Sequence, residues 1–168
     1  MAIVSSAAAG LRVASRATVI QLRAPGVSTA RLEMEAHHLV GAVSVPVLIS
    51  SRCDVALATG AAGVNLPESD ISVAGARRLL GNLVVGRSVH SIQSAQQAQR
   101  EGADFVIFGP VWPSTSHPDT HQVGLAALTQ LVRSVGIPVL AIGGVTEARV
   151  AEVLASGGAG YAAIGLFA

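Results

Sequence analysis

The chain has 168 residues, of which 51% are hydrophobic, 12% charged and 3% aromatic, with a net charge of +1. That is one core's worth of sequence, and it excludes a disordered chain, a basic nucleic-acid binder and, with no apolar run near the roughly 20 residues of a membrane helix, a membrane span. All 11 basic residues are arginines. Without a lysine amine there is no Schiff-base chemistry, so an anion must be held by Arg, His, hydroxyls or backbone N–H groups. A single cysteine, Cys53, forms no internal disulfide and suits a reducing cytoplasm. The apolar N-terminus lacks a charged start and reads as structure, not as a signal peptide.

Short aliphatic runs predict buried parallel strands in chain order at Met1–Val4, Thr18–Arg23, Val45–Ser50, Gly63–Leu66, Leu83–Ser88, Asp104–Phe108, Ile137–Ile142 and Gly160–Gly165. Helical spacing falls between them, over Ala30–Leu39, Cys53–Ala58, Val73–Leu80, Ile92–Arg100, Leu125–Val135 and Glu147–Ala155, with a short first stretch at Ala7–Ser15. Ser28, Ser72, Ser91 and Thr146 stand at cap positions, and Gly60, Gly81, Gly102, Gly136 and Gly157 at stops. Turns such as Gly60-Ala61-Ala62-Gly63 and Gly102-Ala103-Asp104 repeat, and Val45-Pro46-Val47-Leu48 is echoed by Ile137-Pro138-Val139-Leu140. Repeated βα units of this kind predict an α/β fold, a compact (β/α)8 TIM barrel spanning residues 1–168 as one domain, with no helix after the eighth strand. A doubly wound open sheet is the alternative, but a glycine-rich nucleotide loop after the first strand is absent.

Barrel active sites form at the C-terminal strand ends. Gln21 and Arg23 share a face at the end of the second strand, where they either meet a ligand or let the arginine reach solvent. Ser88 and His90 share parity at the end of the fifth. The sixth βα loop, Gly109–Gly124, is long and rich in hydroxyls; it holds Trp112, which either walls a pocket or anchors the loop, and also Ser114, Ser116, His117, Asp119 and His121. It reads either as a polar lid or as a phosphate cover carrying a titratable group. Gly143, Gly144 and Gly165 follow the seventh and eighth strands, where backbone N–H groups can approach an anion. His37 and His38 sit on a predicted helix as a solvated face. Cys53 is expected to be buried with no activating base.

Gln21-Leu22-Arg23, Arg52-Cys53-Asp54-Val55-Ala56-Leu57-Ala58, Gly63-Val64-Asn65-Leu66, Gly86-Arg87-Ser88-Val89-His90-Ser91, Gly109-Pro110-Val111-Trp112-Pro113 and Ala141-Ile142-Gly143-Gly144-Val145-Thr146 follow in that order. Together they resemble the family of thiamin phosphate synthase and the thiazole tautomerase (TenI), over most of the chain. The resemblance implies a barrel that binds a thiazole phosphate. The synthase joins this to a pyrimidine pyrophosphate with magnesium; the tautomerase isomerises a thiazole carboxylate phosphate by proton transfer.

On these positions the resemblance places Gln21 and Arg23 at the substrate mouth and Ser88 against the anion. Ser114, Ser116 and His117 take the places of a Thr-x-Thr-Lys loop, Gly143, Gly144 and Gly165 those of a phosphate cradle, and Asp70 that of a magnesium carboxylate. Where the synthase pattern has Arg-Glu-Lys and Asn-Asp, this chain has Arg23-Ala24-Pro25 and Ser50-Ser51. Where the tautomerase has a histidine it has Pro110. Arg87-Ser88-Val89-His90 and the missing metal set favour tautomerase-like proton transfer, with His117, His121 or His90 as acid/base in place of that histidine and no certain cofactor. A synthase, with magnesium, is the alternative, and a non-catalytic thiazole phosphate binder is the third reading. The expected partner is a small-molecule phosphate, with no nucleic acid and no membrane, and the composition is compatible with a homo-oligomer.

Overall fold

The computed structural model describes residues 1–114 and 121–167. Eight strands run β1 (Ala2–Val4), β2 (Ile20–Leu22), β3 (Val47–Ser50), β4 (Gly63–Leu66), β5 (Val84–Val89), β6 (Phe105–Phe108), β7 (Val139–Ile142) and β8 (Gly160–Ala162). Each pairs in parallel with the next, in sequence order. A bridge from Ala2 to Ala163 joins the last to the first, with Ile3 N–H donating to the Ala163 carbonyl at 2.9 Å. The ring is a (β/α)8 barrel. Its described helices are α1 (Ala7–Val13), α2 (Thr29–Ala42), α3 (Cys53–Thr59), α4 (Val73–Leu80), α5 (Ile92–Arg100), α6 (Gly124–Ser134) and α7 (Glu147–Ala155), and none follows β8.

The strand sequences explain the two layers of core. Side chains alternate along a strand, so each strand feeds both sides of the wall. Val4, Leu22, Ile49, Leu66, Val89, Phe108 and Ala141 face the helices in the outer core. Ile3, Leu48, Phe105, Ile107 and Ala162 fill the inside of the ring. Gln21 pairs in register with Ile3 and Leu48, which belong to that inner set, and Ser50 pairs with Asn65. Gln21, Ser50 and Asn65 therefore share the upper barrel interior with aliphatic residues such as Ile3.

Several predicted bounds move. β2 ends at Leu22, so Arg23 lies one residue past it. β8 ends at Ala162, so Gly165 lies in the turn that follows and not at a strand end. Ser6, Ser28, Ser72 and Ser91 cap their helices through the hydroxyl, but Thr146 makes no such bond. His37 and His38 are exposed on α2, as their helical position implies.

Helix α1 is only two turns long and relies on a neighbour. The Glu35 carboxylate, on α2, accepts from Ala7 N–H at 2.7 Å and from Arg31 at 2.5 Å. The Ala7 N–H holds the carboxyl below its ordinary range, helped by Arg31 against the opposing effect of burial. A depressed carboxyl stabilises the fold above its unfolded pKa of about 4.3, and that contribution fades as pH falls through the lower folded value. Glu35→Gln is therefore expected to cost about 1 kcal/mol at pH 7. The gap from wild type should close as the pH drops below 4 in urea titrations. A gap that stays constant from pH 7 to 3 would show that the charge contributes nothing.

Candidate active site

A cavity of about 640 Å³ opens at the C-terminal ends of the strands. Its floor is an amide layer. Gln21 and Asn65 are 2% and 3% exposed. Asn65 Nδ2 donates to Ser88 Oγ at 3.0 Å, which leaves the serine hydroxyl proton free to be donated in turn. Gln21 Oε1 and Asn65 Oδ1 are buried with no hydrogen-bond partner among the described residues. Buried carbonyl oxygens without partners are uncommon, because the lost hydration is not recovered. Here both belong to residues that line the cavity.

Opposite this floor, two loops are zipped together. Val111 N–H donates to the Ile142 carbonyl at 2.8 Å and Trp112 N–H to that of Gly143 at 3.1 Å. Gly143 and Gly144 have φ of +92° and +64°. A Cβ on Gly143 would lie 2.5 Å from Pro110 Cβ, and one on Gly144 would lie 2.4 Å from the Pro113 carbonyl oxygen. The twin glycines are thus required by the close approach of the sixth loop, independently of any ligand. No such demand falls on Gly165, which is exposed and where a Cβ would meet nothing within 4 Å.

The third wall is charged. Arg87, on β5, donates to the carbonyls of Ile71 (2.6 Å) and Glu68 (2.7 Å), which fixes the loop after β4. The Glu68 carboxylate is hydrogen-bonded to the Nδ1 of His90 at the cavity rim. Burial opposes ionisation of Glu68, but the Ser94 hydroxyl and the His90 ring outweigh it, and the carboxyl sits below its ordinary range. A carboxylate on one ring nitrogen orients an imidazole and sets its tautomer.

Gln21, Arg23, Ser88, His90, Ser114, Gly143, Gly144 and Gly165 all line this one cavity. His121 does not; it is exposed just before α6. Ser116 and His117 lie outside the described residues. Trp112 anchors its loop and does not line the cavity. Cys53 is buried, and burial pushes its thiol up, with Asp70 and Asp54 adding to the effect, so it is unreactive. Asn65, Glu68 and Arg149 also line the cavity and were not singled out as site residues from sequence. Asn65 had a signal, as a lone amide inside an aliphatic strand. The other two sit on a loop and a helix whose approach to the mouth has no mark in the sequence.

The family model described as thiamine monophosphate synthase matches residues 2–167. The chain belongs to the thiamine monophosphate synthase family. It is 40% identical over 152 residues to thiamine-phosphate synthase of Chloroflexus aurantiacus, covering 88% of this chain and 70% of that one. It is 37% identical over 137 residues to the putative thiamine-phosphate synthase 2 of Aquifex aeolicus, covering 82% and 74%. Among solved structures, thiamine phosphate pyrophosphorylase from Pyrococcus furiosus superposes with a TM-score of 0.88 at 31% identity, covering 97% of this chain and 84% of that one. These relatives are named for the synthase, so they favour the reading held as the alternative above over tautomerase-like transfer.

The thiamine monophosphate synthase family implies magnesium near Asp70. Asp70 lines a second, smaller cavity together with Arg87 and Glu101, not the one described above. Its Oδ2 is buried and unpartnered among the described residues, while Oδ1 accepts from Ile71 N–H at 2.7 Å. Ser50 and Ser51, at and just past the end of β3, are neutral, and no three His, Cys, Asp or Glu gather among the described residues. A single carboxylate whose free oxygen is buried does not make a resident magnesium site. No described helix is long and apolar enough to cross a membrane.

Proposed function

We propose that this barrel is a thiamine-phosphate synthase, joining a thiazole phosphate to a pyrimidine pyrophosphate and releasing pyrophosphate. The observation that carries the reading is the buried amide floor. Gln21 and Asn65 are buried amides lining a cavity with room for small heterocycles, and each keeps a carbonyl oxygen with no partner among the described residues. A heteroaromatic edge that carries amino donors can satisfy such acceptors, and an apolar ligand cannot. Ser88 Oγ, already accepting from Asn65, has its proton left for an anionic oxygen. At the opposite wall, Gly143 and Gly144 lead into the N-terminus of α7, where backbone N–H groups and the helix dipole favour a phosphate. These residues hold two reactants in one orientation, which is the main contribution a protein can make to a displacement of this kind.

Incubating the protein with thiazole phosphate and pyrimidine pyrophosphate should yield thiamin phosphate and pyrophosphate in equal amounts. Absence of both products, with the substrates shown to bind, would overturn the synthase reading.

One observation favours proton transfer as a second reading: the hydrogen bond of Glu68 with His90 at the rim. Proton transfer needs His90 itself, so His90→Gln would cut solvent-deuterium exchange into a thiazole carboxylate phosphate roughly 100-fold or more. The synthase reading expects the same variant to retain thiamin phosphate formation within a few-fold, and to show no exchange in the wild type.

A further inference from the structure

Arg31, Arg52 and Arg77 are ion-paired to Glu35, Asp54 and Asp104. Arg149 has no carboxylate within ion-pair reach among the described residues, although it is half-buried on the cavity wall. It is nevertheless held in place. Its Nη1 donates to the Gly144 carbonyl at 2.7 Å, and its Cζ lies 5.0 Å from the centroid of the Trp112 ring. Contact with the ring face leaves the N–H edge of the guanidinium available, and only one of its five N–H groups is used on Gly144. A partly desolvated cation without a counter-ion is costly, and an anion entering the cavity removes that cost. Arg149 stands one turn into α7, beside the N–H groups of the Gly143–Gly144 turn, in a chain that has no lysine. Arg23, by contrast, reaches the cavity from beyond β2 and is exposed.

We propose that Arg149 is the cationic half of a phosphomonoester subsite at the Gly143–Gly144 wall, and that it sets the preference for a phosphorylated heterocycle over the corresponding alcohol. The inference rests on the phosphate-binding reading above. Trp112 and the Gly144 carbonyl hold the guanidinium in advance of binding, so little side-chain entropy is lost when the phosphate arrives.

The test is calorimetric titration of thiazole phosphate and of the unphosphorylated thiazole alcohol into wild type, Arg149→Gln and Arg149→Lys. Arg149→Gln should weaken phosphate binding roughly ten-fold or more and leave alcohol binding within two-fold. Arg149→Lys should recover phosphate binding to within about three-fold of wild type. Equal weakening for both ligands, no weakening for either, or a lysine variant as weak as the glutamine variant would assign Arg149 to holding the loop and overturn the proposal. A wild type that binds phosphate and alcohol equally would sink the phosphate reading itself, and the inference with it. If Arg149→Gln fails to fold, the lysine variant decides alone: its phosphate-to-alcohol ratio must stay within three-fold of wild type.

Discussion

Gly144→Ala is expected to disable the protein by two routes at once. At φ of +64° a Cβ is strained in any case, and here it would lie 2.4 Å from the Pro113 oxygen and 2.8 Å from Trp112 Cβ. Both neighbours belong to a segment whose first residues are hydrogen-bonded to the end of β7, so they cannot retreat without breaking the Val111–Ile142 and Trp112–Gly143 bonds. Left-handed strain and overpacking together cost about 2–5 kcal/mol. The melting midpoint of a domain this size should fall by roughly 10 °C. Product formation should fall about 100-fold or more, because the wall that carries the proposed phosphate site moves with the loop. Gly165→Ala is the control. It sits in open space and is exposed, so the same added methyl should change the midpoint by less than 2 °C. Equal effects from the two alanines would show that the close approach of the loops is not what the glycine serves.

Gln21→Leu is expected to move stability and activity in opposite directions. The wild-type residue is 2% exposed and its Oε1 has no partner among the described residues. Leucine is close to it in volume and carries no polar atom, so it removes an unrecovered desolvation cost. A gain of about 1 kcal/mol follows, seen as a rise of a few degrees in the melting midpoint. The same change deletes the amide that lines the cavity where the proposed heterocycle would sit, and synthesis should fall about 100-fold or more. A variant that is both less stable and less active would show that Gln21 is satisfied in the free protein. Function would then not be the reason for a buried amide at this point.

The architecture was legible because a parallel barrel writes itself into a chain locally. Runs such as Val47–Ile49 and Phe105–Phe108 are apolar at every position, since one parity faces the helices and the other the barrel interior. Serine caps mark the starts of α1, α2, α4 and α5, and Gly60 and Gly81 the ends of α3 and α4. Strand parity also carried part of the site: Gln21, Ser88 and His90 all point where their spacing says they must. Strand ends were less legible. Gly165 reads as part of an aliphatic strand, yet β8 ends at Ala162, and composition does not show where pairing to β7 stops.

Order along the chain was enough to dictate a ring of βα units, the parity that sends Gln21 and Ser88 into its interior, and membership of a family that its motifs already resemble. Each of these depends on neighbours a few residues apart, or on a pattern repeated at fixed spacing. Folding alone decided that the twin glycines are wedged beneath Pro110, Trp112 and Pro113, that Glu68 meets His90, that Asp70 lines another cavity, and that Arg149 stacks on Trp112. Those are encounters between loops far apart in the chain, set by the closure of the ring and by side-chain direction, and no local periodicity encodes them.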